Sequence, residues 1–309
     1  MDFSFTAEQQ ALKAQARAWL AEHYPPDRVA KLADSDAGWD PQSWQQLAQL
    51  GWLGVSVPES EGGAGLGFVE EALLCEELGY ALYPGPFLAT VALASPRLDG
   101  GERARIAAGQ TRWSAEVHGM LPDWGRVDRV LTSRGPVAPE GELLASVDAT
   151  RPLGRLRASG GPGAGELDAR ALAAVACEAV GVAQRALDWG LDHARTREQF
   201  GKPIGAYQAV SHKLVDSYVD IELARSLAYW AAALVGDAGA QAPLAAAAAK
   251  AQATEAAVAA CERAIQVHGG TGFTWEHPLH RWYKRALWLH AFGGRPADHR
   301  ARVAEALAL

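Results

Sequence analysis

Along the first third of the chain, apolar positions recur at helical spacing. Thr6 and Gln9 form a capping-box pair ahead of a stripe of Leu12, Ala16, Trp19 and Leu20. Tyr24-Pro25-Pro26 stops that helix, because proline lacks the N–H that an interior turn needs. Asp40 before Pro41 predicts an N-cap with proline in the first helical position, opening a helix through Trp44, Leu47 and Leu50 that Gly51 ends. A glycine-rich loop over 58–67 leads to a helix from Phe68 to about Leu78, closed by Gly79. Tyr83-Pro84-Gly85-Pro86 reads as a turn, and short helices follow from about Leu88 and over 102–108.

From about 111 to 165 the pattern becomes short alternating runs, such as Arg129-Val130-Leu131-Thr132 and Leu143-Leu144-Ala145-Ser146-Val147, punctuated by Gly and Pro. This predicts a small β region, with Ser159-Gly160-Gly161-Pro162-Gly163 as its boundary. The helical period then returns. One helix is expected over 166–195. A second starts near Ala206, carries Val210, Leu214, Tyr218, Ile221 and Ala224 at helical spacing, and ends at Gly236. A third runs from Pro243, very rich in alanine, to Gly269-Gly270, and shorter helices follow over 279–290 and 297–307. Long alanine-rich helices imply close packing in a four-helix bundle. The expected fold is mainly α with a small β domain: an N-terminal helical domain over 1–110, a shortened β domain over 111–165, and a C-terminal bundle over 166–309.

Composition narrows the class. With 309 residues, 49% hydrophobic and 21% charged, the chain suits one compact unit or two intimately packed subdomains. A net charge of −7 argues against nucleic acid as the main partner. No apolar run approaches the roughly 20 residues of a membrane span, and Met1 to Ala7 lacks the basic and apolar regions of a signal peptide. Cys75, Cys177 and Cys261 lie far apart and read as buried thiols of a reducing cytoplasm. Their scatter fails zinc spacing, and His277, His280, His290 and His299 have no carboxylate or cysteine at matching intervals, so no metal is expected. The eleven tryptophans are read as ordinary core.

Two segments carry a family resemblance. Ala194-Arg195-Thr196-Arg197-Glu198-Gln199-Phe200-Gly201-Lys202-Pro203-Ile204-Gly205, with Gln208-Ala209-Val210 next, is the first. The second is Gln266-Val267-His268-Gly269-Gly270-Thr271-Gly272-Phe273-Thr274, then Glu276-His277-Pro278. Both resemble signatures of the acyl-CoA dehydrogenases, in that family's order and spacing. Val57-Pro58-Glu59, Gly62-Gly63-Ala64-Gly65 and Glu76-Glu77-Leu78-Gly79 resemble its N-terminal helical domain, so the match spans nearly the whole chain and is weakest across 111–165. The resemblance implies FAD as cofactor, an acyl-CoA substrate oxidised to its α,β-enoyl form, and electron-transfer flavoprotein as acceptor. It implies cofactor contacts at Arg197, Phe200, Gln208, Gln266, Gly269 and Gly270. The residue types suit this. Glycines without Cβ allow close approach to a pyrophosphate, Arg197 offers a forked guanidinium, Phe200 an adenine- or ribose-packing ring, and the glutamines amide edges. Gly63-Ala64-Gly65-Leu66-Gly67 does not fit the Rossmann fingerprint and is read as structural.

The family's reaction needs a carboxylate aimed at a weakly acidic α-proton. In most members this glutamate falls at the position of Gly293, within Phe292-Gly293-Gly294-Arg295, and in others at that of Ala171, ten residues before Gly181. Neither residue moves a proton. Glu178 lies two turns beyond Ala171, about 10 Å along the helix. Glu276 precedes a helix, where relatives use it structurally, and Asp168 sits three residues early on another face. The family's flavin-lining Thr-Glu-Pro-x-Ala-Gly-Ser-Asp stretch is absent. Asp148-Ala149-Thr150-Arg151-Pro152, Phe273-Thr274-Trp275-Glu276-His277 and Lys284-Arg285-Ala286 resemble instead a short subgroup from bacterial steroid side-chain degradation. Such chains often pair with a longer homologue that supplies the base, which implies a heterotetramer and a bulky polycyclic thioester. Two other readings stand beside this one: a self-sufficient dehydrogenase using Glu178 or Glu276, and a flavin-free scaffold.

Overall fold

The protein is seen in a computed structural model, which describes residues 4–157 and 165–308. The N-terminal part holds α1 (Ala7–His23), α2 (Pro26–Ala33), α3 (Gln42–Gln49), α4 (Phe68–Ala81) and α5 (Gly100–Ala107). The capping box forms as the sequence predicts: Gln9 N–H donates to Thr6 Oγ1 at 3.2 Å, and Thr6 N–H to Gln9 Oε1 at 3.0 Å. Pro25-Pro26 ends α1 and also begins α2, since proline at the first helical position gives up only an N–H that has no intrahelical partner. Asp40 Oδ1 accepts from Gln42 N at 2.9 Å, but α3 starts at Gln42, one residue later than Pro41. The segment Leu88–Ala94 is helical as expected, in π form.

Gly79 does not close α4. The helix runs on to Ala81 and stops at Leu82, which takes a left-handed backbone with φ 54°. Gly79 is glycine for a different reason. A Cβ there would overlap the carbonyl oxygen of Glu178 on α6 (Ala169–Thr196), and a Cβ at Gly181 would overlap the carbonyl oxygen of Glu76. The two helices therefore cross backbone to backbone through a reciprocal pair of glycines. Around this crossing α4 buries three carboxylates, each with a cation from another helix: Glu71 with Arg170, Glu76 with Lys13 and Arg225, Glu77 with Arg17. The Glu76-Glu77-Leu78-Gly79 motif is thus the joint between the N-terminal helices and the bundle.

The β region forms two three-stranded sheets. One has β1 (Trp113–Ala115) parallel to β3 (Arg129–Thr132), which pairs antiparallel with β4 (Gly135–Val137). The other places β6 (Leu153–Leu156) between β2 (Leu121–Pro122) and β5 (Gly141–Leu144), both antiparallel to it. The expected run to Val147 ends at Leu144, because Ser146 turns the chain by donating to the carbonyls of Asp148 and Arg151. The Ser159–Gly163 boundary lies outside the described residues.

The bundle consists of α6, α7 (Gln208–Gly236), α8 (Ala242–His268) and α9 (Leu279–Ala291), followed by α10 (Pro296–Ala306). α6 and α8 pack against each other, most of their alanines are buried, and one hydrophobic cluster runs from α1 through α4 into the bundle. Trp52, Trp113 and Trp282 are fully buried, in keeping with the core reading, whereas Trp275 is largely exposed.

Gly181→Ala tests the crossing. Helix propensity alone favours alanine by about 1 kcal/mol. The overlap with Glu76 reverses the sign, and denaturant unfolding should show a loss of about 1–3 kcal/mol or more. A stabilised variant would mean that the helices do not touch here.

Candidate functional site

The first signature folds into a helix end and a hairpin. Arg197 caps α6, its N–H donating to the carbonyl of His193 at 2.9 Å. β7 (Glu198–Gln199) then pairs with β8 (Lys202–Pro203) across Phe200-Gly201. Both turn residues have positive φ, 54° and 80°, which is the geometry of a type I′ hairpin. The turn holds Phe200 92% exposed, with its ring edge-on to Tyr207 at 6.3 Å. A bulky residue in a left-handed conformation is uncommon, and here it presents an apolar ring to solvent.

The second signature ends α8. Gln266 is exposed on its last turn, Gly269 has φ 62°, and the chain continues as a 3-10 turn over Gly269–Phe273. A Cβ at Gly269 or Gly270 would meet nothing within 4 Å. At Gly269 the positive φ itself favours glycine, whereas nothing in the chain's own packing demands it at Gly270, and the backbone of both stands open to something outside the chain. The side chains of Arg197, Gln208 and Gln266 are exposed and form no hydrogen bond or ion pair with other described residues. A forked cation, two free amides, an exposed ring and an unobstructed glycine pair fit a dinucleotide that lies against this surface.

The two signatures meet through histidines. His193 on α6 stacks on His268 at 4.4 Å, and His268 lies 4.4 Å from His277. Beside them opens a cleft of about 410 Å³, with Thr196 and Thr271 on its walls, the neighbours of Arg197 and Gly270. Glu276 and Asp192 also line it. Phe200 and Gln208 are not part of that lining. The hairpin instead borders an apolar groove of about 490 Å³ between α6 and α7, walled by Leu187, Leu191, Pro203, Leu214 and Tyr218. Sequence reasoning missed His193 and Trp189. Their place beside His268 depends on a contact between helix ends more than 70 residues apart, and local spacing does not signal that.

The proton-transfer candidates are placed as follows. Ala171 is fully buried in the first turn of α6, where its N–H donates to Asp168 Oδ1 at 2.8 Å, so Asp168 is a helix cap. Gly293 has φ 71°, and a Cβ on it would overlap the side chain of Leu167. His299 Nε2 lies 3.0 Å from the Gly293 carbonyl, and buried Lys250 donates to the carbonyls of His290 and Gly294, which fixes the turn from both sides. Glu276 is exposed.

Glu178 is buried and held by two arginines. Arg151 Nη2 donates to Glu178 Oε1 at 2.8 Å, and Arg285 Nη1 donates to the same oxygen. Arg285 also pairs with Asp148 and donates to Thr150 Oγ1 at 2.6 Å. Burial opposes the charge on Arg285, but Asp148 and Glu178 outweigh it and raise its pKa. Burial alone would raise the pKa of Asp148. The Arg285 guanidinium and the Thr150 hydroxyl bring it below its ordinary value. Glu178 is thus engaged as the shared counter-charge of two buried guanidiniums, and removing it would leave both undercompensated. Asp123 completes the cluster. It lies 3.6 Å from Arg126 and 3.8 Å from Arg151, beyond hydrogen-bond reach, and neither carboxylate oxygen has a partner among the described residues. Burial lifts its pKa to about 6, against the pull of Arg151, Arg126 and Arg285. Arg126 carries the cluster to the N-terminal part by donating to the carbonyls of Pro84 and Gly38.

Comparison with known proteins decides the family. Residues 6–101 match "Acyl-CoA dehydrogenase, N-terminal domain", and residues 169–308 match "Acyl-CoA dehydrogenase, C-terminal domain". The chain is 34% identical over 303 residues to acyl-CoA dehydrogenase IpdE2 of Mycobacterium tuberculosis, covering 90% of this chain and 91% of the relative. The chain belongs to the acyl-CoA dehydrogenase family. As a member of that family it is an FAD-dependent oxidoreductase. Among solved structures, the ChsE4–ChsE5 complex from Mycobacterium tuberculosis superposes with a TM-score of 0.86 at 25% identity, covering 100% of this chain and 99% of that one. A variant of the Tcur3481–Tcur3483 steroid ACAD gives 0.85 at 26% identity, covering 97% and 98%. No helix among the described residues is long and apolar enough to cross a membrane, and those residues contain no group of three or more potential metal ligands.

The buried cluster of this acyl-CoA dehydrogenase should be visible in its pH dependence. The folded-state pKa of Asp123, about 6, lies above its ordinary 3.8. As pH falls through about 6 the folded protein takes up a proton that the unfolded chain does not, so this group favours folding most in acid and least above its folded pKa. Asp123→Asn should therefore raise the thermal midpoint near neutral pH and lose that advantage as the pH drops towards 4. An equal effect at both ends would mean that Asp123 does not titrate in this way.

Proposed function

We propose that this chain is one subunit of a heteromeric acyl-CoA dehydrogenase that forms the α,β-enoyl thioester of a bulky, steroid-type acyl-CoA, and that a longer homologous subunit supplies the catalytic base. The observation that carries the reading is the filling of both base positions. Ala171 is fully buried, and Gly293 is packed on Leu167, while the dinucleotide-facing groups point outward. The reading of a self-sufficient enzyme is disfavoured. Glu178 is ion-paired with both Arg151 and Arg285, and Glu276 stands exposed on the surface.

In the assembled enzyme, bound FAD would supply the hydride acceptor. This chain's contribution is to hold the dinucleotide: Arg197 at a phosphate or on the adenine, Phe200 against the adenine or ribose, Gln208 and Gln266 at polar edges, and the Gly269-Gly270 backbone close to the pyrophosphate. Assembly is supported by α7, which is apolar on two faces. Ile221, Ala224 and Ala228 pack inward, while Val215, Tyr218, Val219 and Leu223 form an exposed stripe at i, i+3, i+4 and i+8. A helix with this distribution is one that becomes buried on both sides. The relatives whose names mention a complex or steroids support a heterotetramer and the bulky substrate. Electron-transfer flavoprotein is the proposed acceptor. The three free buried thiols support a cytoplasmic location.

The test is co-expression with a longer homologue, followed by mass and flavin absorbance of the complex. Arg197→Ala should lower flavin affinity by the value of a charge-assisted contact, about 1.5–3 kcal/mol. Full flavin retention by that variant would remove the cofactor assignment. Val219→Asp with Leu223→Asp should leave a folded chain that no longer associates. Alone, the chain should lack general base catalysis, a deficit on the order of 10²–10⁴-fold. Gly293→Glu should not restore activity, because the new side chain meets Leu167 from a left-handed backbone. Substantial turnover by the parent chain alone would sink the base-free reading, and turnover by Gly293→Glu would show that the turn accommodates a carboxylate despite Leu167.

A further inference from the structure

The histidine contact between the two signatures extends into a longer column. His193, His268 and His277 follow one another at 4.4 Å, and His277 meets Trp189 edge-on at 5.1 Å. Trp189 meets Trp282 at 4.7 Å, and the Trp282 indole N–H donates to the Tyr80 carbonyl on α4 at 3.0 Å. The column therefore starts one turn before Arg197, passes the residue before Gly269, and is anchored in the core. Its hydrogen bonds fix the tautomers. His268 Nδ1 lies 2.8 Å from the Ala264 carbonyl, so that nitrogen carries the proton. His277 Nδ1 accepts from the Leu279 N–H at 3.2 Å, so its proton sits on Nε2.

The three rings come from three different segments: α6, the end of α8, and the loop before α9. Two imidazolium rings at stacking distance repel, so the column closes fully only when its members are neutral. For its two outer rings the surroundings favour the neutral form. Burial, followed by His268 and Arg197, lowers the pKa of His193. Burial, followed by His268, His193 and His280, lowers that of His277 to about 4. The carboxylates that face the cleft are Asp192, which is paired at 3.8 Å with Arg195, and Glu276.

We infer that His193, His268 and His277 are positioning residues that clamp the helix end bearing Arg197 to the Gly269-Gly270 turn, setting the separation of the two dinucleotide-holding elements, and that they do so only as neutral rings. The inference rests on the assignment of those two elements to FAD.

The experiment uses the complex with the longer homologue and follows bound flavin after desalting between about pH 7.5 and about pH 4, a range that reaches the lowered pKa of His277. His268→Ala breaks the column in its middle. It should weaken flavin binding about tenfold near pH 7.5, the scale of one aromatic pair, with unchanged complex mass. His193→Phe combined with His277→Phe keeps three stacked rings with one titratable member. It should bind flavin like the parent near neutral pH and retain it in acid where the parent has released it. Flavin binding as tight as the parent's in His268→Ala would overturn the inference, as would release by the Phe pair at the parent's pH. If His268→Ala does not fold, the Phe pair decides. Arg197→Ala separates the two levels. Full flavin retention there removes the FAD assignment itself, whereas reduced flavin there with silent histidine variants removes only the column.

Discussion

Glu178 is gripped at both its ends, and the arrangement of the chain depends on that grip. Its carbonyl oxygen lies where any side chain on Gly79 would be, which brings α4 and α6 into backbone contact. Its carboxylate is shared by Arg151 from the loop before β6 and Arg285 from α9. One residue therefore joins the N-terminal helices, the β region and the bundle. Glu178, Arg151 and Arg285 are stabilising only together, because removing one of them leaves another without compensation. The same set occupies the neighbourhood in which a relocated base had been sought, so the carboxylate that joins the three parts cannot also serve as a free one.

Much of the fold was legible because it is local. The capping box at Thr6, the period of α6 to α8 and the breaks at Gly236 and Gly269 are written in nearest neighbours on one helix. Gly79 shows where local reading fails. Glycine after an apolar run signals a helix end, yet here it answers to Glu178, about a hundred residues further on. Pro25-Pro26 was read as a stop and is also a start. The site divides in the same way. Arg197, Phe200 and Gly269-Gly270 were visible as contiguous signatures, although nothing in them foretold that Phe200 would sit in a left-handed turn. The charge cluster draws on residues 123, 126, 148, 151, 178 and 285, and no spacing rule connects them.

The outward and inward faces of the molecule divide the work. Inside, Leu167 lies against Gly293 and the arginines hold Glu178, so neither place presents a free carboxylate. Outside, Arg197, Gln208 and Gln266 have no side-chain partner among the described residues, and α7 offers an apolar stripe. Unsatisfied surface next to a densely filled interior is the pattern of a component completed by another chain, and the FAD dependence of the family gives that surface its chemistry.

The alanine faces of α6 and α8 have a consequence for how the sequence carries information. Ala173, Ala174, Ala176 and Ala179 on one helix, and Ala249, Ala253, Ala256 and Ala257 on the other, are buried to 3% exposure or less. Read as text, such a stretch is monotonous and looks replaceable. Read as a solid, each letter is a ceiling on size, since any larger side chain must displace close-packed neighbours. The plainest segment of the chain is therefore among the least free to drift, and what it encodes is a distance.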